Sequence, residues 1–419
     1  MTERRMRRVR HAVVPLVATS ALLSGCGVLP GGSGDSQGPV VVMTWAPVDT
    51  KATNMPGMIA MAQAFERYVN DNGGLGGRKL KVLTCNERND SVAVAKCVQQ
   101  AADAHAVAVV GSYSEQGRSF TTALESNDIP YIGGYGITQD EFLSPLSYPV
   151  NGGVPALLAG SGAQLAAACK KVAFVRPDTI TGDQFPNFLN HGLKSMGHNP
   201  ARDLRAQDDA TEYTGVAEQA VGDNKASNCV SAVLGDHTST FFDSLRRLGD
   251  KPPKVRLSSV IGSVQQSLVN ATGGANSPLE NALVTDWYPP ASDPKWAEMK
   301  SVIDKYAFSD DRIDVADPGV QTTWIAYSVF AKVLRAMDKN TKVTATTVEK
   351  AFDHTTALST GGLTPDLGWT DTDLLNLPDH SRLGDAKVTY QVVRNGQLVQ
   401  QTGGFVDVTR TLQEATGAL

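Results

Sequence analysis

Residues 106–136 read AVAVVGSYSEQGRSFTTALESNDIPYIGGYG, and their order decides the fold class. Val107 to Val110 form a short apolar run of the kind found in strands buried on both faces. A glycine with a polar neighbour (Gly111-Ser112) follows, then a helical stretch, then Pro130 and a second strand. Residues 230–262, VSAVLGDHTSTFFDSLRRLGDKPPKVRLSSVIG, run the same way about 124 positions later, with Gly235-Asp236 standing for Gly111-Ser112 and Pro253 for Pro130. Two copies of one strand-helix-strand unit indicate two α/β lobes of similar build. In open parallel sheets ligands collect beyond the carboxyl ends of the strands, where loops and helix N-termini present unpaired backbone N–H groups. GSYSEQG and GDHTST hold those positions, and two such edges facing each other make a cleft.

Working outward, the same alternation continues. PVVVMTW (39–45) is a β-branched run, and residues 55–74 place Met58, Met61, Ala62, Phe65 and Val69 at helical spacing before a pair of glycines suited to a helix C-cap. RKLKVLTC (78–85) is the next strand and DSVAVAKCVQQAADA (90–104) the next helix. Short strands alternating with helices of this length specify an α/β fold with parallel sheets.

The N-terminal residues do not belong to that pattern. Arg4, Arg5, Arg7, Arg8 and Arg10 precede an apolar run from Ala12 to Leu23. The run is shorter than the roughly 20 residues needed to span a bilayer, and its basic flank is that of an export signal. Leu23-Ser24-Gly25-Cys26 resembles the bacterial lipoprotein cleavage box, which makes residues 1–26 a lipoprotein signal peptide and Cys26 the lipidated N-terminus. The Gly/Ser-rich residues 27–38 are a flexible tether with a reach of roughly 20 Å. Lipid anchorage then holds the body at the outer face of the cell membrane.

The formal net charge is −5; the leader's five arginines against Glu3 contribute +4, which leaves the mature body near −9. Nucleic acid is excluded as a partner on that balance. Beyond Cys26 stand Cys85, Cys97, Cys169 and Cys229, an even set in an exported chain, for which disulfides are expected. No Cys-x-x-Cys or paired-histidine spacing supports a metal, and no nucleophile elbow, phosphate loop or zinc-protease helix is present. The glycines of GGLGG (73–77) follow a helix and precede a strand, the reverse of the dinucleotide-binding order. Asp208-Asp209 and Asp310-Asp311 read as solvated loops. No cofactor, no metal and no enzymatic activity are expected.

Residues 68–114, YVNDNGGLGGRKLKVLTCNERNDSVAVAKCVQQAADAHAVAVVGSYS, resemble the N-terminal lobe of the branched-chain amino-acid (leucine/isoleucine/valine) solute-binding proteins of ABC importers. The Asn72–Leu80 signature and the acidic loop Asn86–Asp90 carry the resemblance. It extends through IPYIGGYG to GGLTPDLGWTDT and the closing strands AKVTYQVVRNGQLV. The resemblance implies the type I periplasmic-binding fold: two Rossmann-like lobes joined by a three-crossover hinge, acting as a monomer that delivers a small polar solute to an ABC permease and its ATPase. A ligand-sensing lipoprotein for a membrane receptor would use the same fold; an exported hydrolase is the third reading. The crossovers fall near Tyr148–Gly153, near Thr285–Pro290 and after about Thr355. Lobe one is then 39–150 with 288–355, and lobe two 151–287 with 356–419. On that division Cys85–Cys97 and Cys169–Cys229 each stay inside one lobe and leave the hinge free, whereas cross-lobe pairs would lock it.

In the family a bound amino acid's carboxylate is held by hydroxyls and N–H groups of loops matching Ser112, Tyr113 and Ser114, and Tyr135, Gly136 and Thr138. Lobe two differs from the pattern. Thr181 stands near the usual aromatic residue, and Ser258, Ser259 and Val260 stand where an acid would meet the ammonium; Asp236 and His237 are the substitutes on offer. Trp45 and the pair Trp287-Tyr288 are candidate cleft walls.

Overall fold

The computed structural model describes residues 38–417 except 52, 208–209 and 250–252. The leader and Cys26 lie outside the described residues. The first sheet begins with β1 (Val40–Ala46), which leads through α1 (Pro56–Asp71) to β2 (Leu80–Asn86), then through α2 (Ser91–Asp103) to β3 (Ala108–Val110). Helix α3 (Gly117–Glu125), β4 (Tyr131–Ile132) and β5 (Ser147–Tyr148) complete it. All its pairings are parallel, in the order β2-β1-β3-β4-β5. β1 is apolar because helices cover both its faces: Val40, Val42 and Ala46 enter the main core, while Met43 and Trp45 pack under α2 and α3 with Val98, Phe120 and Leu124.

The chain then crosses to a second sheet. The crossing helix α4 (Gly153–Ala168) is hydrophobic all round and buried, as a helix packed on more than one side must be. After it come β6 (Lys171–Pro177), α5 (Phe185–Ser195), β7 (Arg202–Ala206), α6 (Thr214–Val221), β8 (Asn228–Ala232), α7 (Thr238–Arg246), β9 (Arg256–Val260), α8 (Gln266–Ala271) and β10 (Leu283–Asp286). These parallel strands are ordered β7-β6-β8-β9-β10, the first sheet's order repeated. The equivalence read between residues 106–136 and 230–262 is therefore a real one: both units start on the third strand of their sheet, and Gly111 (φ 60°) and Gly235 (φ 55°) both turn the chain in the left-handed region.

Helices α9 (Ala297–Tyr306), α10 (Pro318–Ala336) and α11 (Ala345–Asp353) return to the first sheet, α9 and α10 against α1. Phe65 of α1 packs on Trp324 and Tyr327 of α10, and the Tyr327 hydroxyl meets Thr44 Oγ1 at 2.6 Å. The final elements, β11 (Lys387–Arg394), β12 (Gln397–Gln400), β13 (Val406–Asp407) and α12 (Thr409–Thr416), belong to the second body, with β11 antiparallel to β10 and α12 against α5. Residues 354–383 have neither strand nor helix period and stay with the first body. Trp369 meets Tyr148 edge to face and packs at a tilt on Phe352, Lys332 Nζ donates to Ser359 O, and Arg382 donates through Nε to Ser147 O. These aromatic and cationic anchors hold the loop on the first sheet until β11 begins at Lys387.

Both disulfides are formed, Cys85–Cys97 and Cys169–Cys229, and each ties elements of a single sheet. At the crossings Tyr288 is the fastener: its hydroxyl accepts from Asn151 Nδ2 (3.0 Å) and meets Thr322 Oγ1 (2.9 Å), and its carbonyl accepts from Thr389 Oγ1 (2.7 Å) and Gln391 Nε2 (3.1 Å). Asp286 beside it accepts from Tyr288 N and Gln391 Nε2; burial pushes its carboxyl up to about 7 despite those donors.

Candidate functional site

The carboxyl ends of seven strands, three from one sheet and four from the other, converge on a cavity of about 210 Å³. From the first sheet the loop after β1 brings Thr53 and Met55, the loop after β3 brings Tyr113, Glu115 and Gln116, and the loop after β4 brings Tyr135, Ile137 and Thr138. From the second, Pro177, Thr179, Thr181 and Phe185 follow β6, Val233 to Gly235 follow β8, Val260 to Ser263 close β9, and Trp287 follows β10. Val154 and Leu157 of α4 floor it. This is where an open α/β sheet leaves backbone loops rather than side-chain layers, so it is where a pocket can form.

One wall is a ladder of rings. Tyr113 and Tyr135 meet edge to face at 5.1 Å between centroids, and Tyr135 and Trp287 at 5.2 Å. The Tyr113 hydroxyl donates to Glu115 Oε1 at 2.8 Å, and Trp287 Nε1 donates to Gly153 O at 2.9 Å, so both polar tips are occupied. Burial and the neighbouring Glu115 hold the Tyr113 phenol well above its usual range. Opposite, Arg176 Nε and a terminal nitrogen grip the two oxygens of Asp203 at 3.0 and 2.9 Å, and the other terminal nitrogen holds Asp183 at 2.6 Å. That fork fixes the end of β6 and with it Pro177 to Thr181.

The two sides touch across the cleft. Asn54 N donates to Asp236 Oδ2 at 3.2 Å, and a Cβ placed on Gly262 would lie 2.5 Å from the Tyr135 hydroxyl oxygen.

Of the residues singled out from sequence, Tyr113, Tyr135, Thr138 and Thr181 line the cavity, as does Trp287. Asp236 and His237 flank it beside Gly235. The others point elsewhere. Trp45 is fully buried in the core against Phe120 and Tyr131, because the strand's alternation turns it toward α2 and α3. Ser112 Oγ accepts from Trp45 N, Ser114 Oγ donates to Glu87 Oε2 and accepts from Gln116 N, and Ser259 Oγ donates to Ala232 O. These three serines serve the fold. Gly136 shapes its loop, and its N–H donates to Glu141 Oε2 at 3.1 Å.

Glu141 was not visible as a site residue in the sequence, and it explains the loop. It is 3% exposed and accepts from Gly136 N, Ile137 N (3.0 Å), Thr138 N (2.9 Å) and Thr138 Oγ1 (3.1 Å). Burial raises its pKa and these donors pull it back. Glu87 is buried in the same manner, bonded to Asn89 N and Ser114 Oγ. Glu115, Gln116, Phe185 and the Val233–Gly235 turn were also missed; only Thr138-x-x-Glu141, a capping-box spacing, carried a local signal. Among the described residues no group of three or more metal-ligating side chains occurs.

The family model for periplasmic binding proteins matches residues 49–375. No curated protein sequence matches significantly. Solved structures of the same fold include an extracellular ligand-binding receptor from Verminephrobacter eiseniae (16% identity, TM-score 0.69, covering 86% of this chain and 99% of that one). A fatty acid ABC transporter substrate-binding protein from Thermomonospora curvata is similar at 13% identity and TM-score 0.73, over 89% of this chain and 96% of that one. A branched chain amino acid ABC transporter from Thermus thermophilus with bound valine is similar at 13% identity and TM-score 0.72, over 90% and 99%.

Proposed function

The chain belongs to the periplasmic binding protein family, and from that premise we propose that it is the solute-capturing subunit of an ABC importer. It is a binding protein and not an enzyme. A small molecule enters between the two bodies, the lobes close on it, and the closed form presents it to a membrane permease whose separate ATPase drives transport. The observation that carries this reading is the cavity at the strand ends of both sheets, with walls from each. The moving bodies are residues 39–150 with 288 to about 383, and 151–287 with the remainder. The within-lobe disulfides are consistent with hinge motion.

Anchorage through a lipid on Cys26 belongs to the same proposal. A Cys26→Ser chain expressed with labelled palmitate should lose the label and leave the membrane fraction; retention of both would remove the anchor from the account.

Capture is tested by a thermal-shift screen followed by small-angle scattering. A ligand at 100 times its Kd adds about 2.7 kcal/mol to stability, and closure lowers the radius of gyration. A solute that binds without compaction, or emerges chemically altered, overturns the assignment.

A further inference from the structure

Resting on that reading, the hydrogen bonds around the cavity narrow what it takes. None of the described residues lining it is Lys, Arg or His. A ligand carboxylate could still be held by backbone N–H groups, but the loops spend theirs within the protein. On the first body Gly136, Ile137 and Thr138 donate to Glu141, Tyr113 N to Trp45 O, Tyr135 N to Ser112 O and Gln116 N to Ser114 Oγ. On the second, Val233 N donates to Val175 O, Leu234 N to Thr238 Oγ1, Gly235 N to Ser263 Oγ and Ile261 N to Thr285 O. The Trp287 indole N–H is held by Gly153 O. An anion moved into this space would lose its hydration and find neither a cation nor a nest of amides in exchange.

Glu115, the one carboxyl on the lining, is already engaged within the protein, so neither sign of ligand charge has a counter-ion waiting. The rest of the lining is uncharged. Apolar surface comes from both bodies, with Met55 and Ile137 on one, Phe185 and Val260 on the other, and Leu157 beneath. The polar groups set among it are hydroxyls and one carboxamide. Thr179 Oγ1 accepts from Gly182 N and Ser263 Oγ from Gly235 N, and a hydroxyl that accepts in this way keeps its own proton to donate. Gln116 gives one amide hydrogen to Asn89 O and retains the other. Donors of this kind pair with a neutral acceptor without any charge having to leave water.

We propose that the solute is uncharged: an apolar molecule with a carboxamide or hydroxyl at one end, that end taking hydrogen bonds from the hydroxyls of the second body and the remainder lying against Met55, Leu157 and Phe185. The amino acid expected from the resemblance, which carries two charges, is replaced by a neutral compound.

The test is calorimetric titration of the full chain with probes that share a skeleton and differ in charge. One set is isovaleramide, isovalerate, isoamylamine and leucine; the other is 3-phenylpropanamide, 3-phenylpropionate, 3-phenylpropylamine and phenylalanine. At pH 7 at least one amide is expected to bind, about tenfold or more tighter than the acid, amine and amino acid of its set. Lowering the pH to 4 should raise the matching acid's affinity about tenfold as it takes up a proton and becomes neutral. The amide, which does not titrate, controls for changes in the protein and should stay within about threefold. An acid, amine or amino acid that binds as tightly as its amide at pH 7 overturns the uncharged assignment and leaves solute capture standing. So does an acid that gains nothing at pH 4, because shape and not charge then excludes it. Binding by no probe also ends the proposal. The capture reading is judged separately, by whether a mixed metabolite extract raises the melting temperature and compacts the chain in scattering.

Discussion

Single side chains decide what the pocket loops can do. Glu141 organises residues 136–138 by accepting from three consecutive amides. In Glu141→Gln one oxygen becomes an amide NH2 that faces an N–H, so one buried donor loses its partner at a cost of about 1–3 kcal/mol. Urea denaturation should show a drop of that size, with ligand affinity falling alongside it; an unchanged midpoint would mean the loop holds its shape without the charge. Asp286 makes a pH prediction. Its carboxyl titrates near 3.8 when exposed and near 7 in the fold, chiefly because it is buried. The folded protein thus keeps the proton longer, and the group's contribution to stability is full below about pH 4 and lost as pH rises through about 7. Asp385, buried and also pushed up to about 7, acts in the same direction. Asp286→Asn keeps a neutral group of the same size beside Gln391. The variant should match the parent near pH 4 and melt higher at pH 8. A variant less stable than the parent at pH 8 would show that the carboxylate's bonds outweigh its desolvation.

At the level of elements, close contacts and covalent ties set the cost of change. Helices α4 and α5 touch through glycines: a Cβ on Gly162 would lie 2.1 Å from Leu189 O, and one on Gly192 would lie 2.1 Å from Ala159 O. Neither obstacle is a flexible side chain, so Gly162→Ala must push the helices apart, at about 1–3 kcal/mol or more. Thermal denaturation reads that loss. The disulfides differ in the loops they close, with sequence separations of 60 for Cys169–Cys229 and 12 for Cys85–Cys97. If chain entropy dominates, replacing the first pair by serines should destabilise by about 1.4 kcal/mol more than replacing the second. The reverse order would point to local packing as the larger effect. The element pattern itself was legible in advance. β3 runs directly into Gly111 and β8 leads through Val233 and Leu234 to Gly235, a signal that needs no partner to be read, and their equivalence holds down to the positive φ of the two glycines.

For the whole molecule the informative contact is Gly262 against Tyr135, one residue from each body. Gly262 has φ 85°, and a side chain there would strike the Tyr135 hydroxyl. Gly262→Val should prop the cleft open, raising the radius of gyration in the presence of ligand and weakening binding tenfold or more. Adding Tyr135→Phe removes the obstructing oxygen and should restore part of the affinity. If it restores none, backbone strain at 262 and not interlobe closure is at fault. Much of this architecture was determined by the sequence alone: the alternation of strands and helices, the doubling of one unit, the four bonded cysteines and the placing of the pocket at strand ends. Those features depend on periodicity and on residues close in the chain. The tertiary structure alone decided which side chains face the cavity and which bond inward. Trp45, Ser112, Ser114 and Ser259 turned into the fold, while Glu115, Gln116 and Phe185 came to the cleft. It also decided what residues 354–383 lie against, since they follow anchors on Tyr148, Phe352 and Ser147. The physical reason is the same in each case: a loop side chain's direction depends on the turn that carries it and on partners far off in sequence, as Glu141 and Glu87 are for the donors they hold, and no local spacing records those partners.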